Sequence, residues 1–175
     1  MAELPDGARI LVSACLLGAP VRYDGRAQDL RSALLERWQA AGLVVPLCPE
    51  LAGGLPVPRP PAEIEAGAQG WQVWLHEARI RDARGGDPTE AFRAGAEAAL
   101  ALVRRHGLRI AVLKEGSPSC GSQRIASGHF DGGKRPGEGL TAAVLRRHGV
   151  QVFSELRLDA AERARRQLPP QAAPV

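Results

Sequence analysis

Arg109-Ile110-Ala111-Val112-Leu113-Lys114-Glu115-Gly116-Ser117-Pro118-Ser119-Cys120-Gly121 joins a short apolar run to a turn of small residues that carries a cysteine. Residues 109–113 are brief, β-branched and closed off by Gly and Pro, which is the pattern of a buried strand. Two earlier stretches repeat the arrangement: Arg9-Ile10-Leu11-Val12-Ser13-Ala14-Cys15, and Leu43-Val44-Val45-Pro46-Leu47-Cys48-Pro49-Glu50. All three cysteines of the chain therefore follow an apolar strand directly. Open α/β sheets place their chemistry at the carboxyl ends of such strands. The pattern predicts an α/β fold: a single three-layer domain with a mostly parallel sheet and cysteine-bearing loops at the strand ends.

Working outward, residues 16–25 form a Gly/Pro/Asp-bearing loop. A helix is expected from about Ala27, with Leu30, Leu34, Leu35 and Trp38 on one face and Gly42 ending it. Strand, loop, helix and strand in that order give adjacent parallel strands through a right-handed crossover. Residues 49–65 (PELAGGLPVPRPPAEIE) hold too many prolines for a regular helix or a central strand, and their polar groups Glu50, Arg59 and Glu63 are placed to converge on a pocket. Alternation around Val73, Leu75, Ala78 and Ile80 suggests a short hairpin or edge element. A second helix is expected with Asp87 as N-cap, Pro88 first and Glu90 at N3, running to about His106 with Ala91, Gly95, Ala98 and Leu102 packed on the sheet. Residues 121–139 read as a glycine-rich loop, 138–148 as a third helix, 150–153 as a last strand and 158–168 as a charged final helix. The whole chain, 1–175, is expected to be one domain, with its core over about 8–156 and a tail at 169–175.

Length and composition fit this reading. A chain of 175 residues with 45% hydrophobic and 24% charged residues is ordinary for one globular domain. Aromatic residues make up 4%, too few to stack bases along a strand, and the net charge of +4 is mild. No apolar run approaches the length that spans a bilayer, and the first residues lack the basic and apolar parts of a signal peptide. A cytoplasmic protein with no membrane and no stable nucleic-acid partner is expected. In a reducing compartment an odd number of cysteines points to a metal or catalytic role.

Common alternatives lack their motifs. The chain has no C-x-x-C pair for a zinc ribbon, no G-x-S-x-G elbow and no P-loop ending. Among the histidines, His129 alone falls in a candidate site loop. What remains is a three-thiolate site, Cys15, Cys48 and Cys120, assembled from separate loops. Soft thiolates select iron–sulfur clusters, zinc or copper(I). An iron–sulfur cubane normally takes four cysteines, so three leave one iron open, with Glu50 and Ser117 beside it. A non-catalytic binding module stabilised by zinc is the alternative; it would be colourless where a cluster protein is brown. Nucleic-acid binding through Lys134 and Arg135 ranks last, because the basic residues are scattered.

The motifs also carry a resemblance. Ser13-Ala14-Cys15-Leu16-Leu17-Gly18 with Arg22-Tyr23-Asp24-Gly25, Cys48-Pro49-Glu50 with Gly53-Gly54-Leu55, Pro58-Arg59 and Glu63, and Leu113-Lys114 with Ser117-Pro118-Ser119-Cys120-Gly121 together resemble the thiouracil desulfidase family. The likeness runs from about Ile10 to Phe153. It implies a single α/β domain and a [4Fe-4S] cluster held by Cys15, Cys48 and Cys120, with Glu50 and Ser117 as catalytic residues. Ser13, Arg59 and Ser119, in the same motifs, are the candidate substrate contacts. The implied reaction is non-redox: the sulfur of a small thiolated base such as 2-thiouracil binds the open iron, Glu50 activates water, and hydrosulfide leaves. Val21 stands where many relatives carry a further Cys. Oligomeric state is left open.

Overall fold

The computed structural model describes residues 7–26 and 30–170. In chain order its elements are β1 (Ile10–Ser13), α1 (Ala33–Ala40), β2 (Val44–Leu47), α2 (Pro49–Ala52), β3 (Ala62–Ile64), α3 (Gly70–Trp74), β4 (Ile80–Asp82), α4 (Thr89–His106), β5 (Ile110–Leu113), β6 (Arg124–Ala126), β7 (Lys134–Pro136), α5 (Leu140–Arg147), β8 (Gln151–Ser154) and α6 (Leu158–Gln167). Single 3-10 turns cover Ala14–Leu17 and Glu155–Arg157.

Four strands form one parallel sheet in the order β2-β1-β5-β8. Every residue of β1 and β5 is buried, as expected of central strands covered on both faces. Alternation along them divides the core in two. Ile10, Val12, Ile110 and Val112 pack with Trp38 of α1 and Ala161 of α6. Leu11, Ala111 and Leu113 pack on the opposite face with Phe92 and Ala96 of α4 and with Leu140 and Val144 of α5. Helices on both faces of a parallel sheet make the three-layer α/β fold expected from the sequence. From β1 the chain first adds β2 on one side, then returns to add β5 on the other. This reversal opens a crevice at the carboxyl ends of β1 and β5.

Several expectations need correction. Where a short hairpin or edge element was expected around residues 71–84, the first half is a short helix, α3, and the second is a strand, β4, that pairs with β3 in a separate antiparallel ladder. Val73 is buried among α4 and α5 side chains, so its apolar character reflects helix packing. The proline-rich segment opens with one helical turn, α2, whose first residue is Pro49, a position where the missing N–H costs nothing. It ends in an edge strand, β3. Residues 121–139 contain a two-stranded hairpin, β6–β7, and Glu138 precedes its helix, α5. Helix α4 starts one residue later than expected, and its buried stripe is Phe92, Gly95, Ala96, Ala99, Leu100 and Val103. Its N-cap is therefore Pro88 and not the expected Asp87, which lies one residue further out and accepts the Thr89 N–H at 3.1 Å. Helix α1 begins at Ala33, where Ser32 Oγ accepts the Leu35 N–H at 3.3 Å. The expected start at Ala27, and residues 171–175 of the expected tail, lie outside the described residues.

Candidate active site

The three cysteines come to one crevice because each follows a strand of the same sheet. Cys15 lies in the 3-10 turn after β1, Cys48 follows β2 as the N-cap of α2, and Cys120 lies in the turn after β5. All three are free thiols; Cys15 and Cys120 are buried and Cys48 is half-buried. They line one cleft of about 530 Å³, together with Ser13, Val21, Glu50, Arg59, Lys114 and Ser117. Burial first, and then the charge of neighbouring Cys48, raise the Cys15 thiol to about 11. Burial likewise raises Cys48 and Cys120, and at Cys120 the next causes include Glu50, Cys15 and Cys48. Each sulfur thus lies within electrostatic reach of another.

Local hydrogen bonds fix the site's parts. Ser13 Oγ accepts the Lys114 N–H at 3.0 Å and donates to Cys120 Sγ at 3.7 Å, tying the end of β1 to the start of the cysteine turn. Ser117 Oγ accepts the N–H groups of Ser119 at 3.0 Å and Cys120 at 2.8 Å. Both bonds use its lone pairs, which leaves its O–H to donate into the cleft. Glu50 Oε2 accepts from Arg59 Nε at 2.8 Å and from Nη2 as well. Two further Arg59 donors go to the carbonyls of Pro56 at 3.1 Å and Val21 at 3.0 Å. Cys48 Sγ also faces the Val21 carbonyl, at 4.0 Å. The Arg59 side chain is 5% exposed and that of Glu50 is 14% exposed, so the pair is sheltered, and the Arg59 bond to Val21 ties its segment to the loop after β1.

The family profile described as 2-thiouracil desulfurase matches residues 10–157. The chain belongs to the 2-thiouracil desulfurase family. One relative is an uncharacterized protein, YbbK, of Bacillus subtilis (strain 168), 43% identical over 152 residues that cover 86% of this chain and 97% of YbbK. Among solved structures, the [4Fe-4S]-dependent thiouracil desulfidase TudS is 50% identical with a TM-score of 0.81, covering 90% of this chain and 97% of that one.

Seven of the eight residues singled out in this member of the 2-thiouracil desulfurase family line the cleft: Ser13, Cys15, Cys48, Glu50, Arg59, Ser117 and Cys120. Ser119 does not. It is 1% exposed and its hydroxyl is shared with Thr141 at 2.9 Å, so it fastens the cysteine turn to α5. His129 is also outside the lining. Its loop hangs from Glu63 Oε1, which accepts the Gly128 N–H at 2.8 Å and the Phe130 N–H at 3.3 Å. Among the described residues no group of three or more His, Cys, Asp or Glu side chains is suited to a single metal ion. Three soft thiolate donors on one cleft are a donor set that fits an iron–sulfur cluster.

Three further features went unread in the sequence. Glu115 accepts backbone N–H groups from Ser122 at 2.9 Å, Gln123 at 3.1 Å and Arg124 at 3.0 Å. Burial pushes its carboxyl up, but these donors outweigh burial and hold it below the usual range. Lys114 lines the cleft and pairs with Glu155, far along the chain, so spacing gives no signal for the pair. Tyr23, 41% exposed, is among the residues that line the cleft, and the Arg59 N–H donates to its carbonyl at 2.7 Å. Its place in the Arg22-Tyr23-Asp24-Gly25 motif was the one available hint.

Proposed function

We propose that this protein is a [4Fe-4S]-dependent, non-redox desulfidase that converts 2-thiouracil or a related thiolated base to its carbonyl form and releases hydrosulfide. The observation that carries the reading is the convergence of three cysteines, one from each of three strand ends, on a cleft that also holds a carboxylate and a free hydroxyl donor. Cys15, Cys48 and Cys120 are the three ligands. When bound, the cluster supplies an iron without a protein ligand, a Lewis-acid position for sulfur.

The chain's own groups supply the proton chemistry. Glu50, held in place by Arg59, accepts a proton from the water that attacks the thiocarbonyl carbon. Arg59, bonded to Glu50 and to the carbonyls of Pro56 and Val21, orients that carboxylate and acts through it. Ser117 donates its hydroxyl hydrogen to the base or to the anion that develops on it. Ser13 and Ser119 act on the position of the Cys120 turn. The carbon–sulfur bond breaks as the carbon–oxygen bond forms, water provides oxygen and protons, and no electrons are exchanged. The substrate is a small thiolated base, and the reaction fits a cytoplasmic enzyme without a membrane or stable nucleic-acid partner. No helix among the described residues is long and apolar enough to cross a membrane.

The test is anaerobic reconstitution with iron and sulfide, followed by 2-thiouracil in the absence of any reductant. Uracil and sulfide appearing in equal amounts support the reading. Turnover that requires an added reductant, or none at all from cluster-loaded protein, contradicts it.

A further inference from the structure

Beside the cysteine turn lies an ion pair that the chemistry above leaves without a task. Lys114 follows β5 directly, and its N–H is pinned to Ser13 Oγ at 3.0 Å, at the junction of β1 and β5. Its ammonium stands 3.1 Å from Glu155 Oε1 and donates to the Glu115 carbonyl at 2.8 Å. The other Glu155 oxygen accepts the Glu115 N–H at 2.8 Å. The Glu155 side chain is 7% exposed and that of Lys114 is 22% exposed. Glu155 comes from the turn that follows β8, so a carboxylate from one strand end grips both a side chain and a backbone N–H at the end of the next strand.

This geometry suits the clamping of a charge more than the gluing of a fold. A buried ion pair contributes little net stability, because desolvation offsets the Coulomb gain. Here Lys114 also lines the cleft that Cys15, Cys48 and Cys120 share. An ammonium has three N–H donors; among the described residues two are engaged, by Glu155 and the Glu115 carbonyl, which leaves one for a ligand. Three thiolates around a cluster core leave the site net negative, and a hydrosulfide ion in the cleft adds to that charge. In a sheltered site an uncompensated anion is costly.

Resting on the desulfidase reading, we propose that Lys114 is the counter-charge that holds anionic sulfur in the cleft, and that Glu155 is the positioning residue that aims it. The release of hydrosulfide then depends on an ammonium that touches neither the attacking water nor the carbon.

The test is a titration of sodium sulfide into anaerobically reconstituted holoprotein, followed by its visible absorption, with no substrate present. Lys114→Met loosens sulfide binding by about tenfold or more. Lys114→Arg, which keeps the charge, brings affinity back to within about threefold of wild type. Glu155→Gln separates a clamp from a bare charge. Removing a carboxylate that acted through its charge alone tightens sulfide binding, whereas loss of the clamp loosens it. Unchanged affinity in Lys114→Met, or tighter binding in Glu155→Gln, overturns the proposal. A wild-type holoprotein that desulfurises 2-thiouracil, with sulfide affinity indifferent to these changes, overturns this proposal and leaves the desulfidase reading standing. Wild-type holoprotein that binds no sulfide overturns this proposal alone, whereas holoprotein that releases no sulfide from 2-thiouracil overturns the desulfidase reading.

Discussion

Glu50 lies two residues beyond Cys48, and its carboxylate is gripped by an arginine that two backbone carbonyls also hold in place. Such a carboxylate is oriented before any substrate arrives, which is what a general base needs. Glu50→Gln preserves shape and Arg59 contact through its amide oxygen but removes the proton acceptor. It is expected to retain the cluster's visible absorption and to lower kcat by about 10²–10⁴-fold, measured as sulfide release. Full activity in that variant would remove Glu50 from the role given to it. Ser117→Ala strips the acceptor from two backbone N–H groups in the cysteine turn. A loss of about 1–3 kcal/mol is expected in urea unfolding, with a fall in turnover beyond what reduced folding accounts for. These residues were legible in the sequence because each sits within three positions of a strand-end cysteine. The Glu50–Arg59 grip was foreshadowed by two opposite charges in one short loop. Lys114 stood in the quoted motif without a task, since the carboxylate that holds it comes from another strand end.

The elements that carry these residues are set by close backbone contacts. Helix α2, the single turn bearing Glu50, lies directly on α4 because both sides of the crossing are glycine. A Cβ on Gly95 would come within 2.0 Å of the Pro49 carbonyl oxygen, and one on Gly53 within 1.9 Å of the Ala91 carbonyl oxygen. Gly95→Ala must therefore push α2 away, and Cys48 with it. The expected cost is about 1–3 kcal/mol in unfolding free energy, accompanied by weaker cluster retention during gel filtration. On the opposite face, Glu162 of α6 accepts from Trp38 Nε1 at 2.7 Å and Arg165 Nε at 2.7 Å, and from Arg166 Nε at 2.6 Å. Burial pushes the Glu162 carboxyl up, but these donors outweigh it and hold the group at about 2, below its ordinary 4.5. Because the folded value is depressed, the stabilisation is present above the unfolded value and is lost as pH falls toward the folded one. Between pH 7 and pH 3 the wild type is expected to lose about 2 kcal/mol more than Glu162→Gln in denaturant unfolding. The central strands were readable since both faces of each are buried and the apolar runs are unbroken. The short elements were not. Helix α3 and strands β3, β4, β6 and β7 span three to five residues each and owe their form to tertiary neighbours. The face of α4 was misplaced by about one position, because alanines fill its exposed side as well as its buried one.

Across the whole molecule, one topological fact explains why three cysteines far apart in sequence meet. The sheet is parallel, so β1, β2 and β5 all end on the same edge, and its order reverses beside β1. A cysteine just past each strand has one common place to go. The fold thus turns a sequence pattern of three strand-terminal thiols into a single site, and family membership is consistent with that geometry. The decisive measurement is iron and acid-labile sulfide per chain after anaerobic reconstitution, for wild type and for Cys15→Ala, Cys48→Ala and Cys120→Ala. The account predicts about four of each in the wild type, with a broad visible absorption near about 400 nm, and loss of the cluster from every variant. Wild-type protein that binds a single zinc ion and stays colourless, or a variant that keeps a full cluster without one of the three sulfurs, would contradict it.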